Sequence, residues 1–135
     1  MRTRPQLQSS DAKRLMDACR SEAQKMKLTV SIAIVDDNGI PLLIERMDGA
    51  GPLSVEAAFG KAKASALTRR PTKFWEDRIK ERPAFIGFPG GLMIQGALPI
   101  MHRDECVGAI GVSGAQSGED EQIAAAGIEA ARDLK

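Results

Sequence analysis

The stretch Gly108-Ala109-Ile110-Gly111-Val112-Ser113-Gly114, leading into Ser117-Gly118-Glu119-Asp120-Glu121 and an alanine-rich tail, decides the fold. It reads as a glycine-punctuated strand that empties into a capped helix. Glycine inside a strand marks a bend, or a place where another backbone or a ligand comes close. Ser117 with Asp120 three positions on predicts a capping box, and Ile123, Gly127, Ala130, Ala131 and Leu134 then form a buried stripe. A second glycine cluster, Gly87-Phe88-Pro89-Gly90-Gly91 with Gly96, stands upstream. The two clusters are the places where a ligand could touch backbone.

Outward from that strand, Leu98-Pro99-Ile100-Met101-His102 and Glu105 to Val112 predict a hairpin turning at Arg103-Asp104. A further hairpin is predicted from Val30 to Met47, with Asn38-Gly39 at its turn, since a type I′ turn needs positive φ at both central residues. A short strand is expected at Leu92-Met93-Ile94. Ser10 is an apt N-cap for a helix over about 11–26, whose apolar Ala12, Leu15, Met16, Cys19, Ala23 and Met26 share one face. A second helix runs from Ser54 to Leu67, where Gly60 suggests close backbone packing, and Thr72 can cap a third carrying Phe74, Trp75 and Ile79. The order α-β-β-α-α-β-β-β-α, built on hairpins rather than parallel crossovers, gives an α+β class with a mainly antiparallel sheet.

The chain has 135 residues, enough for one domain (1–135) with one core. Its 19 basic and 18 acidic residues leave a net charge of +1, so no electrostatic footprint for nucleic acid or a membrane surface is present. Cys19 and Cys106 are far apart, without a CxxC pattern, and read as free thiols. The start, Met1-Arg2-Thr3-Arg4-Pro5-Gln6, has no apolar leader, and the expected compartment is the cytoplasm.

Few residues can carry chemistry. His102 is the only histidine, which excludes HExxH and His-rich metal sites but leaves a metal ligand or general base. Lys61, set among alanines, could hold its ammonium toward a carboxylate or, if desolvated, move a proton. Phe88-Pro89-Gly90-Gly91 could offer backbone N–H groups to an anion. Arg70, near Arg69 and Lys73, makes a basic spot, and Met47, Met93 and Met101 are further candidates for an iron ligand.

Taken with Val30 to Gly39, Lys61-Ala62, Arg70-Pro71-Thr72, Phe88-Pro89-Gly90-Gly91, Gly96-Ala97-Leu98-Pro99-Ile100, Val107 to Gly114, Asp120-Glu121 and Ala125 to Ile128, the sequence resembles the GlcG/HbpS family of small haem-binding domains, which also occur at the C-terminus of PduO-type proteins. The resemblance implies a profilin-like fold with a central, mainly antiparallel sheet of about five strands flanked by helices. It also implies homo-oligomeric assembly and haem binding, with haem breakdown in some members. Under that reading His102 or a methionine binds iron, Lys61 or Arg70 lies near the propionates, and Trp75, Phe88, Gly90, Gly91 and Gly96 line the cleft. Arg103-Asp104 replaces the Asp-Gly turn that members often have, which predicts a longer hairpin connection. Two other readings remain open. One is a haem-free lyase, isomerase or hydrolase acting on an organic acid, with Lys61 and His102 as proton carriers. The other is a non-catalytic accessory protein.

Overall fold

The computed structural model describes residues 1–135. A four-stranded antiparallel sheet, in the order β2-β1-β4-β3, is covered by helices on both faces. Its strands are β1 (Ser31–Asp36), β2 (Pro41–Arg46), β3 (Ala97–His102) and β4 (Glu105–Ser113). The helices are α1 (Ser9–Lys25), α2 (Leu53–Thr68), α3 (Thr72–Glu81) and α4 (Ser117–Ala131), with a short 3-10 turn at Pro83–Gly87. Four strands rather than about five is a correction. Leu92-Met93-Ile94 does not join the sheet, because Leu92 gives its N–H to the carbonyl of Gly60 on α2, at 2.9 Å.

One face of the sheet is covered by α1 and α4. There Leu15, Met16, Ile32, Ile34, Ile110, Val112 and Ile123 are among the larger side chains of the larger core. This is the apolar period expected of an amphipathic helix against alternate strand residues. The opposite face is covered by α2, and here the fully buried contacts are between small side chains, Ala58, Ala62 and Ala66 against Ala33, Val35 and Ala109, with the half-buried Ile44 and Phe59 packed against them. A Cβ at Gly111 would stand 2.2 Å from the Ala58 carbonyl oxygen and 2.6 Å from the Ala62 nitrogen, so this strand glycine is what allows α2 to come close.

The turns exchange roles. At Asp36–Gly39 only Gly39 has positive φ (+76°), and Gly39 N–H bonds to the Asp36 carbonyl at 3.0 Å. The Asp36 carboxylate also accepts from the N–H groups of Asn38 and Ile40, so an Asx-stabilised turn closed by a left-handed glycine replaces the expected type I′ turn. The two-residue turn with both φ values positive lies instead at Arg103 (+51°) and Asp104 (+66°), with His102 directly opposite Glu105. That hairpin is tight, not lengthened.

The caps also move. The N-cap of α1 is Gln8, in a box with Asp11, and that of α4 is Gln116, in a box with Glu119. Thr72 is the first residue of α3 rather than its cap, and its hydroxyl both accepts from the Ala97 N–H and donates to the Ala97 carbonyl. Asp120 is thereby free for another task.

Candidate functional site

The sequence-derived candidates fall into three places. The first is a buried ion pair at the end of the sheet where β3 begins. Lys61 on α2 reaches past the sheet to donate to the Val112 carbonyl at 3.1 Å and to Asp120 Oδ2 at 3.3 Å. Lys61 and Asp120 are 4% and 2% exposed. The other oxygen of Asp120 accepts the Ala115 N–H at 3.0 Å. Burial pushes the Asp120 carboxyl above the ordinary aspartate range, opposed by the charge of Lys61 and by that N–H. Gly96 closes the pair in, since a Cβ there would stand 2.8 Å from both Lys61 Nζ and the Val112 carbonyl oxygen. The arrangement ties α2, β4 and α4 together, and Lys61 is not open to a ligand.

The second place is the outer side of α3. Trp75 stacks edge-on with Phe74, Phe85 and Phe88, with ring centroids 5.0 to 5.4 Å apart. Arg70 and Arg78 lie over the two sides of this cluster at Phe74, 4.3 and 5.0 Å from its centroid. Phe88 and Gly90 border a cleft of about 270 Å³ with Leu67 and Thr68, and Gly91 borders one of about 430 Å³ with Ile79, Ile86, Leu92 and Met93. Arg70, Trp75, Phe88 and Gly90 are therefore neighbours, as the sequence suggested. Gly91 has φ +114° and sits so tightly on α2 that a Cβ would meet the Gly60 carbonyl oxygen at 2.4 Å. Gly96 and Gly111 are closed in by helix and strand backbone, whereas Gly90 and Gly91 border open clefts.

The third place is the opposite end of the sheet, where β3 ends at His102. Six residues of extended chain, about 20 Å, separate it from Gly96 and the Lys61 ammonium. His102 and Lys61 are thus not brought into one site. His102 is half-buried and borders two cavities that also share Pro5 and Lys135. One, of about 130 Å³, has Leu7, Ile100, Met101, Val107, Ala131 and Leu134 in its wall. The other, of about 390 Å³, is wholly polar in its side chains apart from Pro5, with Arg4, Arg103 and Glu105. The imidazole stands between a cavity of mixed lining, whose wall also includes Gln6, Asp11 and Lys135, and a polar one in which basic side chains predominate. Sequence reasoning missed Arg4, Leu7, Arg103 and Lys135, because a segment without periodicity carries no signal of where it folds back. No group of three or more His, Cys, Asp or Glu side chains is positioned to hold a bare metal ion.

The haem-degrading HbpS-like family model matches residues 7–129, and the chain belongs to this family. Protein GlcG of Escherichia coli is 36% identical over 114 residues, covering 84% of this chain and 85% of GlcG. The crystal structure of a Streptomyces reticuli HbpS double mutant superposes with a TM-score of 0.90 at 34% identity, covering 96% of this chain and 89% of that one. A PduOC structure solved as a haem complex superposes at 0.85 with 24% identity, over 93% and 95% of the two chains, and at that identity it speaks for the fold. No helix is long and apolar enough to cross a membrane.

Proposed function

We propose that this chain binds haem in the groove at the end of β3, with His102 as the iron ligand. The observation that carries the proposal is the position of the only imidazole, between a cavity with Leu7, Ile100, Val107 and Leu134 in its partly polar wall and a second cavity in which basic side chains predominate. That is the division a porphyrin with a greasy ring and ionised propionates requires. Family membership supports the ligand class. Leu7, Ile100, Val107 and Leu134 would cover the ring and exclude water, and Arg4, Arg103 and Lys135 would draw the carboxylates. The His102 imidazole would supply a nitrogen lone pair to iron. Haem bound there would supply a redox-active iron, the chemistry on which oxidative breakdown of the porphyrin would depend.

Homo-oligomeric assembly in the cytoplasm completes this reading. Leu67, Ile86, Phe88 and Ile94 expose apolar surface beside α3, at clefts that a second copy could cover. Both cysteines are free, as a reducing compartment would keep them. Light scattering on a size-exclusion column reads the assembly directly.

Titration of the purified protein with hemin tests the central claim. A saturable shift of the Soret band is expected, and His102→Ala should abolish it or change its position. A wild-type protein that gives no saturable shift defeats haem binding. An unchanged spectrum in His102→Ala defeats this ligand assignment.

A further inference from the structure

Residues 1–8 cross the end of the sheet without regular structure and wall both cavities beside His102. No backbone hydrogen bond ties residues 1–7 to the rest of the chain. Two kinds of contact hold them. Leu7, 6% exposed, belongs to the larger core and lies against β4, where a Cβ on Gly108 would come within 2.8 Å of Leu7 Cδ1. Arg2 pairs with Glu105, and Arg4 pairs with Asp37 at 2.8 Å while its Nε stands 3.8 Å from Glu105 Oε2. That last oxygen is buried and has no hydrogen-bond partner. One end of the segment is thus fixed by apolar contact, and the other is clasped by half-exposed arginines, one of whose contacts is incomplete.

We propose that residues 1–8 are a latch on the His102 groove, hinged at Leu7 and clasped by Arg2 and Arg4 on Glu105 and Asp37. With the clasp closed, Pro5 and Gln6 are held beside His102 and restrict access to the imidazole. With it released, the groove opens while Leu7 keeps the segment on the protein. A ligand bearing carboxylates releases the clasp by taking Arg4 from Glu105, a step that rests on the haem reading above. The clasp is electrostatic and near solvent, so salt weakens it: the screening length falls from about 10 Å at about 0.1 M to about 3 Å at about 1 M. The hinge is apolar and is not weakened in this way.

The experiment uses His102 itself as the reporter, because it is the only histidine in the chain. Carbethoxylation by diethyl pyrocarbonate, followed at 240 nm across a range of pH, gives the plateau rate of the neutral imidazole separately from its titration. The wild-type plateau rate should rise several-fold from low to high salt. The Arg2→Ala/Arg4→Ala variant should react at the fast rate at every salt concentration. The same rate for wild type and variant, with no effect of salt on either, overturns the latch. Adding Leu7→Ala to the double variant frees the hinge as well, and this triple variant should react at least as fast as the double variant; a rate no faster than wild type also overturns the latch. Stopped-flow mixing with hemin then separates the two claims. Faster Soret formation in Asp37→Asn/Glu105→Gln, which opens the clasp but keeps Arg4 for the carboxylates, supports ligand entry past the latch, and formation no faster than wild type counts against it. If no protein binds hemin while the carbethoxylation rates still differ, the latch stands and the haem reading falls.

Discussion

Replacing Lys61 with methionine tests whether the buried pair is a structural tie. Methionine keeps the length and apolar stem of lysine but removes the ammonium, so Asp120 is left buried with only the Ala115 N–H for a partner. Breaking a buried pair from one side typically costs about 3–5 kcal/mol. A urea slope of roughly 1.5 kcal/mol per molar would turn such a loss into a midpoint about 2–3 M lower. For a chain of this length each kcal/mol is about 3–4 °C, so thermal unfolding should come about 10 °C or more earlier.

The pH dependence gives a second, sharper sign. Asp120 is raised in the folded protein above its ordinary value of 3.8, first by burial. An acid raised in this way binds more protons folded than unfolded. Its contribution is therefore fullest below the unfolded value and is lost as pH rises through the folded one. Without Lys61 the elevation grows, so Lys61→Met should lose stability more steeply than wild type as pH rises above about 4. Adding Asp120→Asn should flatten that slope and recover part of the loss, since the amide oxygen can still accept from Ala115. A Lys61→Met protein that loses less than about 1 kcal/mol and keeps the wild-type pH profile would refute the argument.

Other expectations concern packing and turns. Gly111→Ala should cost about 3 kcal/mol or prevent folding, because its Cβ would meet backbone of α2 rather than movable side chains; the yield of soluble protein and urea melts check this. Arg103→Asn with Asp104→Gly should raise stability by about 1 kcal/mol in thermal melts, because both positions already adopt left-handed φ that the present residues tolerate less well. Cys19 is fully buried with its thiol pushed up to about 12, so its labelling by a disulfide reagent should follow the rate of unfolding rather than thiolate chemistry.

Local pattern carried most of the architecture and little of the site. The stripe Ala12, Leu15, Met16, Cys19 and Ala23 lies buried on α1, and both hairpins formed, because period and turn chemistry are properties of neighbouring residues. Leu92-Met93-Ile94 misled because an apolar triplet has no preference between a strand partner and the carbonyl of Gly60. The glycines signalled close approach correctly, but a sequence does not say whether helix or ligand approaches. Lys61 could be singled out by its alanine surroundings. Its partner Asp120 lies 59 residues away and looked like a helix cap, a role that Gln116 and Glu119 fill instead. Arg70, Trp75 and Phe88 stayed together because they come from α3 and the segments on either side of it. The surroundings of His102 come from both ends of the chain and could not be assembled from spacing.

The alanine seam under α2 has a mechanical consequence. A helix seated mainly on methyl groups and bare α-carbons, with Gly111 admitting its backbone, has few long side chains whose rotamers could absorb a slide or a tilt. That layer must therefore behave as a stiff keel. Compliance is left to the far side of the molecule, where the irregular N-terminal segment and the leucine, isoleucine and methionine packing can give way.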